Sequence, residues 1–167
     1  FVFFPSVDSD LLIANIVYPN GSPVELSQSG LKVLEESLEK LEEEFKTTYP
    51  DHDMFLNISA TAGGQPVRNK TQQGPGTLSS GQSGSHLAEL AIELSPGETR
   101  PITATDIAKR FREITPAIIG AKEVNFSSEL FSAGEAVNVQ LSSNNLNELR
   151  GASVFLKEKL ASYTGVI

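Results

Sequence analysis

Three residue types that commonly build chemical sites are absent or scarce. The chain has no cysteine, one methionine and two histidines among its 167 residues. The lack of cysteine excludes disulfides, thiol nucleophiles and thiolate metal ligands. A metal site needs clustered ligands, and His52, His86 and Met54 do not form a ligand-spacing motif. We therefore expect no metal and no other cofactor.

The sequence also lacks long apolar runs and an excess of positive charge. No run approaches the ~18 residues that a membrane-spanning helix needs. The formal net charge of −8 argues against nucleic acid as the main partner, because the phosphate backbone attracts basic surfaces. The hydrophobic content of 39% is enough for a packed core.

Hydrophobic periodicity predicts an α+β fold. A compact β-rich run predicts a strand over 11–18, and apolar alternation with period two predicts strands over 53–62, 86–94 and 123–127. A stripe at spacings of three and four predicts a helix between the first two strands, with Ser22 as its N-cap. A second helix is predicted to begin near Thr103, capped with the help of Asp106. The order β-α-β-β-α-β predicts a ferredoxin-like split unit over 1–129, with both helices on one sheet face.

A shorter pattern follows over 130–167. A predicted strand over 136–141 precedes a helix that begins near Asn145, as in the first half of a second similar unit. A lone strand and helix cannot bury their apolar faces. We therefore predict that the isolated chain forms a dimer through this segment.

The sheet face away from the helices is predicted to be polar, and either to meet solvent or to line a cleft. Residues of the predicted strands on this face are candidates for substrate binding. They are Asn15, Asn57, Ser59, Thr61, Glu123 and Asn125.

A connection of more than twenty residues is predicted over 63–85, where a hairpin loop normally takes about 2–5. Its composition favours either a disordered surface insertion or a loop that gates a cleft beside the sheet. The glycines assigned to the gating loop are Gly63, Gly64, Gly74, Gly76, Gly81 and Gly84.

Catalytic motifs are incomplete. The stretch GQPVRNKT, residues 64–71, resembles a phosphate-binding loop but has Asn69 where the second glycine belongs. No nucleophile-elbow pattern accompanies the two histidines. The sequence therefore predicts a protein that is not an enzyme.

Several stretches, taken in order, resemble one family of membrane transporters. The opening FFPSVDSDLLIANIVYPNGSPVE contains an F-P-x-x-D turn, a strand and a P-x-G-[ST] turn. The stretches AELAIELSPGETRPITATDIAKRFREITPAIIGAKEVNF and AVNVQLSSNNLNELRGASVFLKEKLASYTGV follow. Together they resemble the porter region after the seventh membrane helix of resistance–nodulation–division (RND) efflux transporters of the acriflavine-resistance type.

This resemblance implies a periplasmic portion of a bacterial inner-membrane protein that exports amphipathic small molecules using the proton gradient. The chain would then be a fragment: one porter subdomain and the start of the next. The parent would be a homotrimer with periplasmic adaptor and outer-membrane channel partners. The proton-carrying residues of such transporters lie in membrane helices and would fall outside this sequence.

Two other classes remain open. One is a soluble ferredoxin-like module that binds a ligand or regulates another protein. The other is an acyl-phosphate hydrolase of the same fold, which needs an arginine in the turn after the first strand. Residues 19–22 offer none.

Overall fold

The computed structural model describes residues 9–67, 83–128, 139, 141–143 and 145–161. The chain divides into two compact units, Phe1–Ser132 and Ala133–Ile167. The predicted division of the chain, 1–129 and 130–167, assigned the second part to another porter subdomain, and that assignment stays a prediction.

The described part of the first unit contains four strands and two helices. They are β1 (Leu11–Val17), α1 (Val24–Thr48), β2 (Phe55–Gly64), β3 (Ser83–Leu94), α2 (Ala104–Ile114) and β4 (Glu123–Ser127). The strands form one sheet in the order β2-β3-β1-β4, and every neighbouring pair is antiparallel. The predicted α+β class and the predicted order of these elements are confirmed.

The second unit is described mainly by one helix, α3 (Leu146–Ala161). The strand predicted over 136–141 lies largely outside the described residues. Its two described positions, Val139 and Leu141, are not in a strand. Leu146, Val154 and Phe155 of α3 are exposed. The predicted dimer through this segment stays a prediction.

The core lies between the helices and one face of the sheet, here named the inner face. The stripe on α1 is buried against it, and so is the apolar side of α2. Burying one large aliphatic side chain contributes about 1.5–3 kcal/mol, so this layer is the main source of the first unit's stability. The core members from the helices are Leu31, Leu34, Leu38, Leu41, Phe45, Ala104, Ile107, Ala108 and Phe111.

The two helices begin differently. Thr103 is the N-cap of α2, as predicted: its Oγ1 accepts from the backbone N–H of Asp106 at 3.1 Å. The predicted cap of α1 is wrong. Pro23 occupies the cap position and Ser22 makes no side-chain capping bond. A proline with extended backbone ends the preceding turn, and α1 then depends on its buried stripe rather than on a cap.

An ion pair joins the two helices on their solvent side. The Arg110 guanidinium donates to both carboxylate oxygens of Glu44 at 2.9 Å, and Glu113 accepts from it at 3.3 Å. The hydrogen bonds from Arg110 hold the pKa of Glu44 below its usual value.

In the described part, no helix is long and apolar enough to cross a bilayer.

Gly30 of α1 packs tightly against side chains at and just after the end of β1. A Cβ at this position would lie 2.5 Å from the Tyr18 hydroxyl and 2.9 Å from Ile16 Cδ1. Tyr18 is only 1% exposed, so its ring has no room to retreat. Its burial also raises the pKa of its hydroxyl. A residue without a side chain is therefore needed at this contact.

We predict that Gly30→Ala lowers the free energy of unfolding by about 1–3 kcal/mol, the usual cost of overpacking a core. Gly151→Ala is the matched control. Gly151 also lies in a helix, but its Cβ would meet nothing within 4 Å. Chemical denaturation followed by circular dichroism measures both, and equal stability of Gly30→Ala and the parent chain would contradict the tight contact.

Candidate functional site

The sheet face opposite the helices, here named the outer face, carries all six predicted substrate-binding residues. The strand register places Thr61 beside Glu89, Glu89 beside Asn15, and Asn15 beside Asn125. Directly paired residues point to the same side of a sheet. These four side chains therefore form one polar row across all four strands, roughly 14 Å wide at about 4.8 Å per strand.

The other predicted residues lie on either side of this row. Ser59 and Asn57 follow Thr61 along edge strand β2, on the same face. Glu123 lies beside Val17 in the next row, two positions from Asn125. The register makes Asn15 and Asn125 direct neighbours. Thr61 is about 10 Å from Asn15, with β3 between them, and Asn57 is about 13 Å from Thr61 at ~3.3 Å per residue.

The centre of the outer face is more apolar than predicted. Ile13, Leu87 and Ala91 belong to this face and are buried. The prediction treated β1 and β3 as strands with one polar side. Both instead contain near-continuous apolar runs, which are typical of strands that are buried on both faces. The centre of the outer face is thus buried and contains both apolar and polar side chains, whereas its margin on β2 is polar and exposed.

Asn15 and Glu89 are buried at this centre, with exposed fractions of 3% and 1%. A carboxylate is rarely this buried without hydrogen bonds, and Glu89 Oε1 accepts from the backbone N–H of Val67 at 2.8 Å. Asn15 Oδ1 is buried and has no hydrogen-bond partner among the described residues. Because both side chains are almost fully buried, they belong to the interior of the sheet, and the polar groups that a ligand can reach lie further out, on β2.

Gln65 is a structural partner of this row that the sequence did not reveal. Its side chain is buried, and its Nε2 donates to the carbonyls of Ile16 at 3.1 Å and Ala88 at 3.3 Å. Together with the bond from Val67 to Glu89, this fixes residues 65–67 against the sheet. The glycine-rich context predicted a loop here, and no local pattern distinguished Gln65 from its neighbours.

The predicted bounds of the long connection are wrong. Gly63 and Gly64 end β2, and Gly84 lies in β3, because the pairing of β2 with β3 continues to Gly64 and Ser83. Gly63 has φ +86° at a register shift, a backbone conformation that favours glycine. Gly74, Gly76 and Gly81 lie outside the described residues, and a gating role for the loop stays a prediction.

Edge strand β2 contains a second irregularity. The sequence pattern placed Phe55 on the same face as Asn57. A register shift between these two residues reverses Phe55, which stacks on Phe45 of α1 with ring centroids 6.0 Å apart. Asn57 remains on the outer face and donates to Glu93 Oε2 at 2.7 Å.

A shallow cleft of about 210 Å³ lies at the start of α2, lined in part by Arg100, Thr103 and Asp106. Arg100 is not available to an anion there. Its Nη2 donates to the Ser9 carbonyl at 2.8 Å and lies 3.5 Å from Asp10 Oδ1. Among the described residues, no group of three or more acidic, histidine or cysteine side chains could hold a metal ion.

Comparison of the sequence with known protein families and with curated proteins finds no match. The geometry of the outer face and the motifs in the sequence are therefore the observations that bear on function.

We predict that Gln65→Leu lowers the free energy of unfolding by about 1–3 kcal/mol, because two buried carbonyls lose a donor. Gln28→Leu, at an exposed position of α1, is the control and should change stability by less than about 0.5 kcal/mol. Thermal or chemical unfolding compares the two. A Gln65→Leu variant as stable as the control would show that the side chain does not hold residues 65–67 to the sheet.

Proposed function

We propose that this chain is part of the periplasmic porter region of a proton-driven RND-type efflux transporter, and that its outer face contributes to the surface along which amphipathic compounds pass. The supporting observation is the agreement between the order of the RND-like motifs and the elements on which they fall. The turn motif with Pro19, Gly21 and Ser22 joins β1 to α1. The motif around residues 95–103 joins β3 to α2.

The sheet topology supports a ferredoxin-like fold for the first unit. Helices α1 and α2 connect β1 to β2 and β3 to β4, and the strand order is β2-β3-β1-β4. These connections and this strand order support the ferredoxin-like split unit that we propose for the first unit. In such a unit both helices cover one face, and the other face is left for a neighbouring domain or a ligand.

The chemistry of the outer face fits a broad rather than a narrow specificity. Asn57, Ser59 and Thr61 offer neutral donors and acceptors along β2, whereas the apolar residues Ile13, Leu87 and Ala91 of the same face are buried. A polar margin without a fixed charge pair imposes little geometric selection on the compounds that pass along it. In this proposal the chain performs no catalysis, and the energy for transport comes from other parts of the transporter.

The proposal is tested by efflux from cells in which the transporter that contains this segment is the main export route. Ser59→Trp adds bulk to the outer face, and Ala60→Trp adds the same bulk to the opposite side of the same strand. Both positions are exposed, so both variants can fold. We expect Ser59→Trp to change the accumulation of ethidium, an amphipathic cation, by at least about 2-fold, with little effect from Ala60→Trp.

Unchanged ethidium accumulation in Ser59→Trp, with normal expression, would contradict a role of the outer face in transport. Equal effects of the two variants would show that any bulk on β2 interferes, and would contradict it as well.

A further inference from the structure

Strand β2 is an open edge of the sheet. Among the described residues it pairs with β3 alone, and residues 56–60 are all exposed. Two of them are large and apolar: Leu56 is 49% exposed and Ile58 is 50% exposed. The backbone N–H and C=O groups along the free edge of this strand have the spacing and direction that another strand can pair with.

The strand has few of the features with which proteins protect such edges. Natural edge strands are commonly short, or carry charged residues or proline. β2 is ten residues long and has no charged residue and no proline. Its two register shifts lie near its ends and leave residues 57–62 regular. The opposite edge, β4, is five residues long and begins with Glu123.

We propose that β2 pairs antiparallel with β2 of a second copy of this chain, joining two four-stranded sheets into one across a two-fold axis. With Ile58 on the axis, the two Ile58 side chains lie side by side and Asn57 faces Ser59 of the partner. This inference concerns the 167-residue chain and does not depend on the proposed function.

Charge restricts the places where two copies of the chain can meet. Each chain carries a net charge of −8, so most of its surface opposes self-association. β2 offers an uncharged strip, and a two-fold arrangement places uncharged side chains against each other along it. Pairing of β2 with β4 of another copy would instead bring in Glu123 and would be open-ended, because the two surfaces differ.

The effect of salt on association distinguishes this interface from one that is held by charged groups. Screening weakens the repulsion between two acidic chains and leaves the hydrogen bonds and apolar contacts of a β2 pair largely intact. We therefore expect association to become stronger as salt is raised. An alternative interface, in which basic groups of α3 in one copy contact the acidic surface of α1 in another, would instead become weaker as salt is raised.

Sedimentation equilibrium of the full chain, from about 1 μM to about 1 mM, tests the proposal. We expect a monomer–dimer equilibrium that Ile58→Lys shifts toward monomer by at least about 10-fold in Kd. Ile119→Lys is the matched control: it makes the same change of charge at a position that is 91% exposed, outside the sheet, and should leave Kd unchanged. Phe155→Lys in α3 is the control for a dimer formed through residues 130–167, and it should also leave Kd unchanged.

Amide hydrogen exchange gives a second measurement that needs no variant. Protection of outward-facing amides within residues 57–62 should rise with protein concentration. A chain that stays monomeric, a dimer that Phe155→Lys rather than Ile58→Lys dissociates, or exchange in β2 that is independent of concentration would each overturn the proposal.

Discussion

The antiparallel pairing of β1 with β3 at the centre of the sheet is the constraint on which the other features depend. Both strands have a neighbour on each side, and their central side chains are buried on both faces. Strands in such a position need apolar residues on both the inner face and the outer face. The two helices cover the inner face, and Glu89, which is buried on the outer face, accepts a hydrogen bond from the start of the long connection.

This constraint accounts for the mixed character of the candidate site. Asn15 and Glu89 are opposite each other in the β1–β3 pair, so neither can leave the centre of the sheet without a shift of register. Glu89 receives a hydrogen bond from Val67, and Gln65 binds to carbonyls of both strands. The start of the long connection is therefore part of the sheet's hydrogen bonding. The polar groups open to a ligand lie further out, on β2.

Much of the fold was predictable because its signals are local. The leucine stripe of α1 and the Thr103 cap of α2 are read from spacing and residue type alone. The errors arose where a contact distant in sequence decides the outcome. Pairing with Ser83 keeps Gly64 in a strand, and stacking on Phe45 reverses Phe55. Neither contact leaves a pattern in the nearby residues. Gln65 was missed for the same reason, since its two acceptors lie 49 and 23 residues away.

Sequencing the gene that encodes this chain decides whether the proposed place in the porter region of an RND-type transporter is correct. The proposal predicts reading frame upstream of Phe1 that encodes apolar segments of about 20 residues, the length that crosses a bilayer, ending close to Phe1. It also predicts that the frame continues beyond Ile167 with the remaining strands of a second α+β unit. A reading frame that encodes only polar sequence on both sides would rule out a place in such a transporter.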